Sequence, residues 1–154
     1  MSPLPSSTPL VTLSPASAAD FEDLLALRIA AMRESLSRLG RFDPIRARER
    51  LRASFAPELT RHILVQGERV GFVLLRPLPG ALSLEHLYVH PRAQRRGIGA
   101  RVLLVVFEEA RQQGLPVRVT ALRGSDSNAF YQRHGFVLAG ESEWDIHYVR
   151  PSEG

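Results

Sequence analysis

The chain lacks cysteine and lysine, and it contains no long apolar run. Without cysteine, neither a disulfide framework nor a thiolate metal site is available. No stretch approaches the ~20 consecutive apolar residues of a membrane-spanning helix, and the first fifteen residues do not resemble a signal peptide. We therefore expect a soluble, cytoplasmic protein without a membrane partner.

All of the positive charge comes from arginine. The 20 arginines against 16 acidic residues give a formal net charge of +4, which suits an anionic small molecule or cofactor as well as a nucleic acid. The densest basic segment, residues 41–52, has none of the alternating aromatic residues that a base-stacking surface needs, so nucleic acid is not favoured. This segment is either a solvated helix face or a site for an acidic acceptor or cofactor phosphates.

Length and periodicity indicate one domain over residues 9–154, after a flexible Pro/Ser-rich tail at 1–8. Apolar residues at helical spacing predict helices over 21–40, 98–113 and 127–134. A further helix is predicted to begin at Pro44, with Asp43 as its N-cap. Runs typical of strands lie at 10–13, 61–66, 69–76, 82–89, 117–122, 136–139 and 144–149. The resulting order βααβββαβαββ predicts an α/β fold with one mixed sheet.

Two of these elements carry further expectations. A break in alternation between Leu84 and Leu87 indicates a bulge in the strand over 82–89. Residues 102–107 are apolar almost all round their helix, as expected for a helix buried on a sheet.

The segment VHPRAQRRGIGARVLL, residues 89–104, joins that strand to that helix. A helix start presents unpaired backbone N–H groups and a partial positive charge, and glycines let an anion approach the backbone. Gly97 and Gly99 lie at this start, with Arg95 and Arg96 beside them. We therefore predict a phosphate cradle.

Two known cradles do not match. A P-loop needs a lysine that the chain lacks, and a dinucleotide fingerprint needs a third glycine where Val102 stands. The hexapeptide Gln94-Arg95-Arg96-Gly97-Ile98-Gly99 instead resembles the Q/R-x-x-G-x-G/A motif of the GNAT superfamily of coenzyme A-dependent N-acetyltransferases.

The resemblance extends over nearly the whole chain. Residues 84–91 resemble the family's fourth strand, and residues 128–136 resemble its Phe-Tyr-x-x-x-Gly-Phe segment. The order of elements matches from Leu10 to Val149. One position departs from the family, because Gly124 stands where an Asn is common and Asn128 lies closer to the tyrosine. Asn128 is therefore either a cofactor contact or a helix cap.

The resemblance implies a sheet splayed between its fourth and fifth strands, with acetyl-CoA as co-substrate between them. It implies that these residues bind the cofactor: Leu87, Tyr88, Val89, Gln94, Arg95, Arg96, Gly97, Ile98, Gly99, Ala100, Asn128 and Phe130. In this picture the pantetheine arm pairs with the fourth strand, and the N–H groups of residues 95–100 hold the pyrophosphate.

The same resemblance implies acetyl transfer to a primary amine by direct attack in a ternary complex. Tyr131 lies at the position of the family's general acid. Glu85 is the candidate base, directly or through a water, and His86, expected on the opposite strand face, is a candidate acceptor contact. A catalytically silent acyl-CoA sensor on the same fold is the alternative function.

The sequence names neither the acceptor, a small-molecule or peptide amine, nor the oligomeric state, for which a homodimer is an open alternative. No metal site is expected. His86 and His90 are four residues apart on a strand, roughly 13 Å at ~3.3 Å per residue, which is too far to share a metal ion.

Overall fold

The computed structural model describes residues 10–153, so the predicted tail at 1–8 lies outside the described residues. The strands are β1 (Val11–Pro15), β2 (Thr60–Val65), β3 (Glu68–Leu78), β4 (Ala81–Val89), β5 (Val117–Leu122), β6 (Val137–Glu141) and β7 (Asp145–Arg150). The helices are α1 (Phe21–Arg38), α2 (Pro44–Ser54), α3 (Ile98–Gln113) and α4 (Ser127–Arg133). Single 3-10 turns at Ala18–Asp20, Pro57–Leu59 and Pro91–Ala93 precede α1, β2 and α3.

Within residues 10–153, the seven strands form one sheet in the order β1-β2-β3-β4-β5-β7-β6. Every neighbouring pair is antiparallel except β4 and β5, which are parallel. The predicted mixed sheet and the order βααβββαβαββ are confirmed, and the predicted boundaries lie within about two residues of the observed ones.

Helices cover both faces of the sheet. On one face α3 and α4 pack on the main core, and on the other α1 and α2 enclose a smaller cluster of Leu24, Leu25, Leu51 and Phe72. The Asp43 carboxylate caps α2 as predicted, accepting from the N–H groups of Ile45 and Arg46 at 3.0 and 3.3 Å. Arg48 and Arg52 of α2 lie beside the first turn of α1, where Arg48 pairs with Glu22.

α3 packs on the sheet as predicted, but the apolar run at 102–107 is not buried all round. Its buried side chains lie on one face, and they are Ile98, Val102, Leu103, Val106 and Ala110. Leu104 is 61% exposed and Val105 is also exposed, because nothing within residues 10–153 covers the outer face of the helix. The apolar residues at 102–107 therefore form the buried face of α3 and also part of its solvent-exposed face.

The bulge in β4 is confirmed, and its extra residue is Glu85. Leu74 pairs with His86 but the next residue of β3, Leu75, pairs with Leu84, so Glu85 has no partner of its own. β4 pairs with β5 only as far as Leu84 opposite Val119, and beyond this point the strands diverge. The predicted splay of the sheet follows from this early end of pairing.

Candidate active site

The loop from β4 to α3 is held by its own side chains. The Gln94 Nε2 donates to the Val89 carbonyl at 2.8 Å, and the His90 Nδ1 accepts from the Arg92 N–H at 3.2 Å. Arg95 and Gly97 both adopt left-handed backbone conformations, with φ of 63° and 77°. At Arg95 this conformation is strained. Left-handed residues that alternate with right-handed ones turn successive backbone N–H groups toward one concavity.

That concavity is rich in free donors. The first backbone hydrogen bond of α3 runs from the Arg101 N–H to the Gly97 carbonyl at 3.1 Å. Among residues 10–153, no acceptor is bonded to the N–H groups of residues 95–100. The side chains of Arg95 and Arg96 are exposed and form no ion pair with any described carboxylate. Free N–H groups, the positive end of a helix and two arginines are together suited to an anionic group.

Gly99 also has a packing role. A Cβ built on it would lie 3.1 Å from the Phe130 Cζ, so the ring of α4 fills the space above this glycine. Ile98 is buried in the main core. Ile98 and Phe130 were both predicted to bind the cofactor, but their side chains pack against the protein. Ile98 therefore offers a ligand only its backbone N–H.

Where β4 and β5 diverge, they leave a cleft of about 240 Å³, here called the strand cleft. It is lined by Glu85, Leu87, Tyr88, Val89, Gln94 and Tyr131 among the predicted site residues. In the described part of the chain, the edge of β4 that faces the cleft has no strand partner beyond Leu84, so its backbone groups are free to bind an extended ligand. The cleft and the free N–H groups therefore suit a long, thin molecule with an anionic end.

Tyr131 forms part of the cleft wall from α4. Its ring packs between Phe130 and Phe136, with centroids 5.4 and 5.3 Å away, and the residue is buried. Burial, and to a lesser degree the neighbouring Tyr88, raise the pKa of the Tyr131 hydroxyl. The hydroxyl therefore stays protonated and is able to donate.

The bulge sets the direction of two side chains. Because Glu85 is the extra residue, it and His86 both line the cavities on the α1–α2 side, so the expectation that His86 lies on the opposite face is wrong. The Glu85 carboxylate accepts from the Arg76 Nε at 3.0 Å to each oxygen. The Arg76 Nη2 also donates to the Ser54 carbonyl at 2.6 Å, which fixes the pair against α2.

His86 is buried and neutral. Its Nε2 lies 2.6 Å from the Ser54 Oγ, while its Nδ1 has no partner within residues 10–153. Burial, with the positive charges of Arg28 and Arg76, lowers its pKa to about 3. His86 therefore does not take up a proton at neutral pH.

Two larger cavities meet the strand cleft. The arginine cavity, about 580 Å³, is lined by Arg28, Arg41, Arg46 and Arg50. The end cavity, about 700 Å³, is lined by Ser54, Arg118 and His147 among others. Glu85 and Thr120 line all three spaces, so Glu85 lies where the strand cleft opens toward both. Both larger cavities therefore open onto the same carboxylate.

Asn128 contacts the protein itself. Its amide nitrogen donates to the carbonyls of Leu122 and Ser125, each at 2.9 Å, and its oxygen accepts from the Tyr148 hydroxyl at 2.7 Å. The alternative that it caps α4 is wrong, because the N-cap position is Asp126. Both amide hydrogens have acceptors inside the protein, which ties β5 and β7 to α4.

Three residues at the site were missed from the sequence: Arg28, Arg76 and Thr120. Arg28 had a readable signal, because it lies four residues after Leu24 and three after Leu25, on the buried stripe of α1. The role of Arg76 depends on the register between β3 and β4, which no local pattern reveals.

Residues 10–153 contain neither a cluster of metal-ligating side chains nor a helix that could span a membrane. No three His, Asp or Glu side chains in this range lie close enough to hold a metal ion. No helix in this range has the length and hydropathy needed to cross a membrane.

Comparison with known families decides what these features belong to. Residues 59–138 match the family model of the acetyltransferase (GNAT) domain. The chain belongs to the GNAT acetyltransferase family. The match spans β2 through the start of β6, and so includes the bulge, the β4–α3 loop and Tyr131. Among curated protein sequences, none matches this chain.

Solved structures of GNAT proteins have the same fold. The PaiA N-acetyltransferase from Thermoplasma acidophilum, in complex with coenzyme A, is 17% identical with a TM-score of 0.76, covering 92% of this chain and 99% of its own. An acetyltransferase from Thermus thermophilus is 19% identical with a TM-score of 0.70, covering 92% and 96%. N-acetylglutamate synthase from Neisseria gonorrhoeae, complexed with coenzyme A and N-acetyl-glutamate, is 19% identical with a TM-score of 0.66, covering 94% of this chain but 36% of its own. At these identities the likeness shows the fold.

Proposed function

We propose that this protein is an N-acetyltransferase that moves the acetyl group of acetyl-CoA to a primary amine by direct attack while both are bound. The observation that carries the proposal is the continuity of the site. Free N–H groups of residues 95–100 lie next to Gln94 at one end of the strand cleft, and Glu85 and Tyr131 line the same cleft. Acetyl-CoA supplies the acetyl group as a thioester.

Binding rests on two sets of backbone groups. The N–H groups of residues 95–100, with Arg95 and Arg96, hold the pyrophosphate. The unpaired edge of β4 at Leu87, Tyr88 and Val89 binds the extended arm as an added strand would. Most of the contacts to the cofactor are therefore made by the backbone. Access to the backbone at Gly97 and Gly99 thus matters more for binding than the chemical nature of the surrounding side chains.

Tyr131 acts as the general acid. Its buried, protonated hydroxyl donates a proton to the sulfur as the carbon–sulfur bond breaks, so that a thiol leaves and not a thiolate. Phe130 and Phe136 hold the ring in one orientation, as a positioned acid requires.

Glu85 receives the proton that the attacking amine loses, directly or through a water. An alkylammonium has a pKa near ~10, so a positioned base is needed at neutral pH. His86 is a poor base because its pKa is about 3. Glu85 is the better candidate, since the bulge directs it to the junction of the three cavities and Arg76 holds it there.

The test separates transfer from binding. Release of free coenzyme A from acetyl-CoA is measured with a panel of primary amines, for the wild type and Tyr131→Phe. We expect kcat to fall about 100-fold or more in the variant, the usual size of a general-acid effect, while the Kd for acetyl-CoA stays the same.

Tyr148→Phe is the matched control for Tyr131→Phe. It removes the same atom from another buried tyrosine, whose hydroxyl bonds to Asn128. We expect it to lower stability and to leave kcat within a few-fold of the wild type. Equal activity of Tyr131→Phe and the wild type would remove Tyr131 from the mechanism.

A silent acyl-CoA sensor is the second candidate. The observation that favours it is the ion pair with Arg76, which engages both Glu85 oxygens. Tight acetyl-CoA binding with no transfer to any amine of the panel would establish it over the enzyme.

A further inference from the structure

The arginine cavity holds four guanidinium groups without a carboxylate partner. Arg28 reaches it from α1, Arg41 from the α1–α2 loop, and Arg46 and Arg50 from α2. Among residues 10–153, none of the four forms an ion pair within 4.0 Å. Arg48, on the same helix but outside the cavity, donates to both oxygens of Glu22 at 2.6 and 2.8 Å. Arg48 is thus neutralised outside the cavity, whereas Arg46 and Arg50 of the same helix line the cavity without a carboxylate partner among residues 10–153.

Arg28 is the most buried of the four arginines. It is only 5% exposed, its Nη1 donates to the Ala47 carbonyl at 3.3 Å, and its Nε has no hydrogen-bond partner in the described chain. Its guanidinium lies 5.6 Å from the centre of the Tyr88 ring. A buried cation without a counter-ion is costly for the fold, so its retention at a cavity wall favours a ligand that supplies the negative charge.

The carboxylates that line the cavity do not neutralise it. Asp43 is occupied by the first N–H groups of α2, and Glu85 is paired with Arg76. Asp145 faces the cavity and raises the pKa of Arg50, but burial and the charges of Arg46, Arg28 and Arg41 together lower that pKa. Three arginines and a single carboxylate therefore act on the Arg50 guanidinium.

We propose that the acceptor is a small primary amine that also carries an anionic group, a carboxylate or a phosphate. The anion is held by Arg46 and Arg50 together with Arg28, and the amine lies at Glu85, on the wall that the arginine cavity shares with the strand cleft. Guanidinium groups suit this task because they bind both kinds of anion in a bidentate manner. The inference rests on the proposed function and adds the class of its acceptor.

The test uses three matched pairs of amines that differ only in whether the anion is present. They are glycine and glycinamide, 4-aminobutyrate and butylamine, and O-phosphoethanolamine and ethanolamine. Each is titrated into protein saturated with coenzyme A, by calorimetry and by the fluorescence of Trp144, the only tryptophan, which stacks with Arg41 at 4.0 Å. The same amines are then assayed as acetyl acceptors.

We expect the anionic member of at least one pair to bind and the neutral member not to bind. Arg50→Gln and Arg46→Gln should each weaken that binding about tenfold or more, as loss of a hydrogen bond to a charged group does. The control is Arg52→Gln, on the same helix, exposed and outside the cavity, which should bind like the wild type. The carboxylate and phosphate pairs show which anion is preferred.

Each outcome has one meaning. Equal binding of neutral and anionic members, no binding of any anionic member, or no effect of Arg50→Gln would overturn the inference. Anion-dependent binding without acetyl transfer to any amine would overturn the proposed enzyme and leave the anion site standing. Transfer to neutral amines alone would support the enzyme and overturn the anionic acceptor.

Discussion

Asp20 links three elements through one carboxylate. It accepts from the Ser17 N–H at 2.8 Å, and it lies 3.0 Å from the His62 Nε2 and 3.2 Å from the Arg69 Nη1. Its side chain is 15% exposed. The backbone hydrogen bond from Ser17, followed by the contact with His62, lowers the pKa of Asp20 from 3.8 to about 2. The ionised form therefore stabilises the join between α1 and the β2–β3 hairpin.

This contact makes stability depend on acid pH. Because the folded pKa lies below the unfolded one, the contribution is fully present above about pH 4 and is lost as the pH falls toward about 2. Asp20→Asn should lower the free energy of unfolding at pH 7 by about 1 kcal/mol, because a neutral amide oxygen replaces the charged acceptor of these hydrogen bonds. Urea unfolding at several pH values should show this difference shrinking between pH 4 and pH 2.

Asp23→Asn is the matched control for Asp20→Asn, because Asp23 is exposed in the first turn of α1. It should change stability little at any of these pH values. A loss in Asp20→Asn that is the same at pH 7 and pH 2 would contradict the account.

Single residues differ in how far the sequence predicts their roles. Tyr131 and Gly97 lie in short contiguous motifs, so their place beside the cleft and at the start of α3 was predictable. Arg76 was not, because its contact with Glu85 arises across two strands. The direction of His86 was predicted wrongly for the same reason, since one extra residue in β4 changes which side chains share a face.

At the scale of elements, β4 carries both the candidate base and the strand edge proposed to bind the cofactor. Its first half pairs with β3 and β5, its bulge directs Glu85 to the cavities, and its second half has one free edge along the strand cleft. Broken alternation in the sequence predicted the bulge. It did not show that pairing with β5 ends at Leu84, and the family resemblance implied only that the two strands diverge.

α3 shows what apolar composition does not reveal. Leu103 is buried in the core and its neighbour Leu104 is 61% exposed, although both belong to the same apolar run. Composition predicts that a helix packs on a sheet, but which side stays uncovered depends on the rest of the molecule. The ends of α3 were predictable because the glycines at 97 and 114 mark them.

The two faces of α3 should respond differently to substitution. Leu103→Ala should cost about 2–5 kcal/mol of unfolding free energy, as a cavity in a core does, whereas Leu104→Gln should change it by less than about 0.5 kcal/mol. Chemical denaturation of both variants checks this. An equally large loss in Leu104→Gln, or a change from dimer to monomer, would show that the outer face is buried in an assembly.

At the scale of the whole molecule, the fold was predictable and the acceptor was not. Two motifs at the family's separation, with the right elements between them, identified a fold that the sheet order bears out. The arginine cavity draws its residues from α1, the α1–α2 loop and α2, so no single stretch of sequence contains it. The sequence did mark residues 41–52 as basic, but only the fold separates Arg46 and Arg50, which face the cavity, from Arg48, which pairs with Glu22.

The central claim is that acetyl-CoA binds at the start of α3, and calorimetric titration with acetyl-CoA tests it most directly. The wild type, Gly97→Glu and Gly114→Glu are compared. Both glycines have positive φ and stand at opposite ends of α3, so backbone strain is matched and only the place of the new charge differs. We predict binding by the wild type and by Gly114→Glu, and its loss in Gly97→Glu. No binding by the wild type, or undiminished binding by Gly97→Glu, would contradict the account.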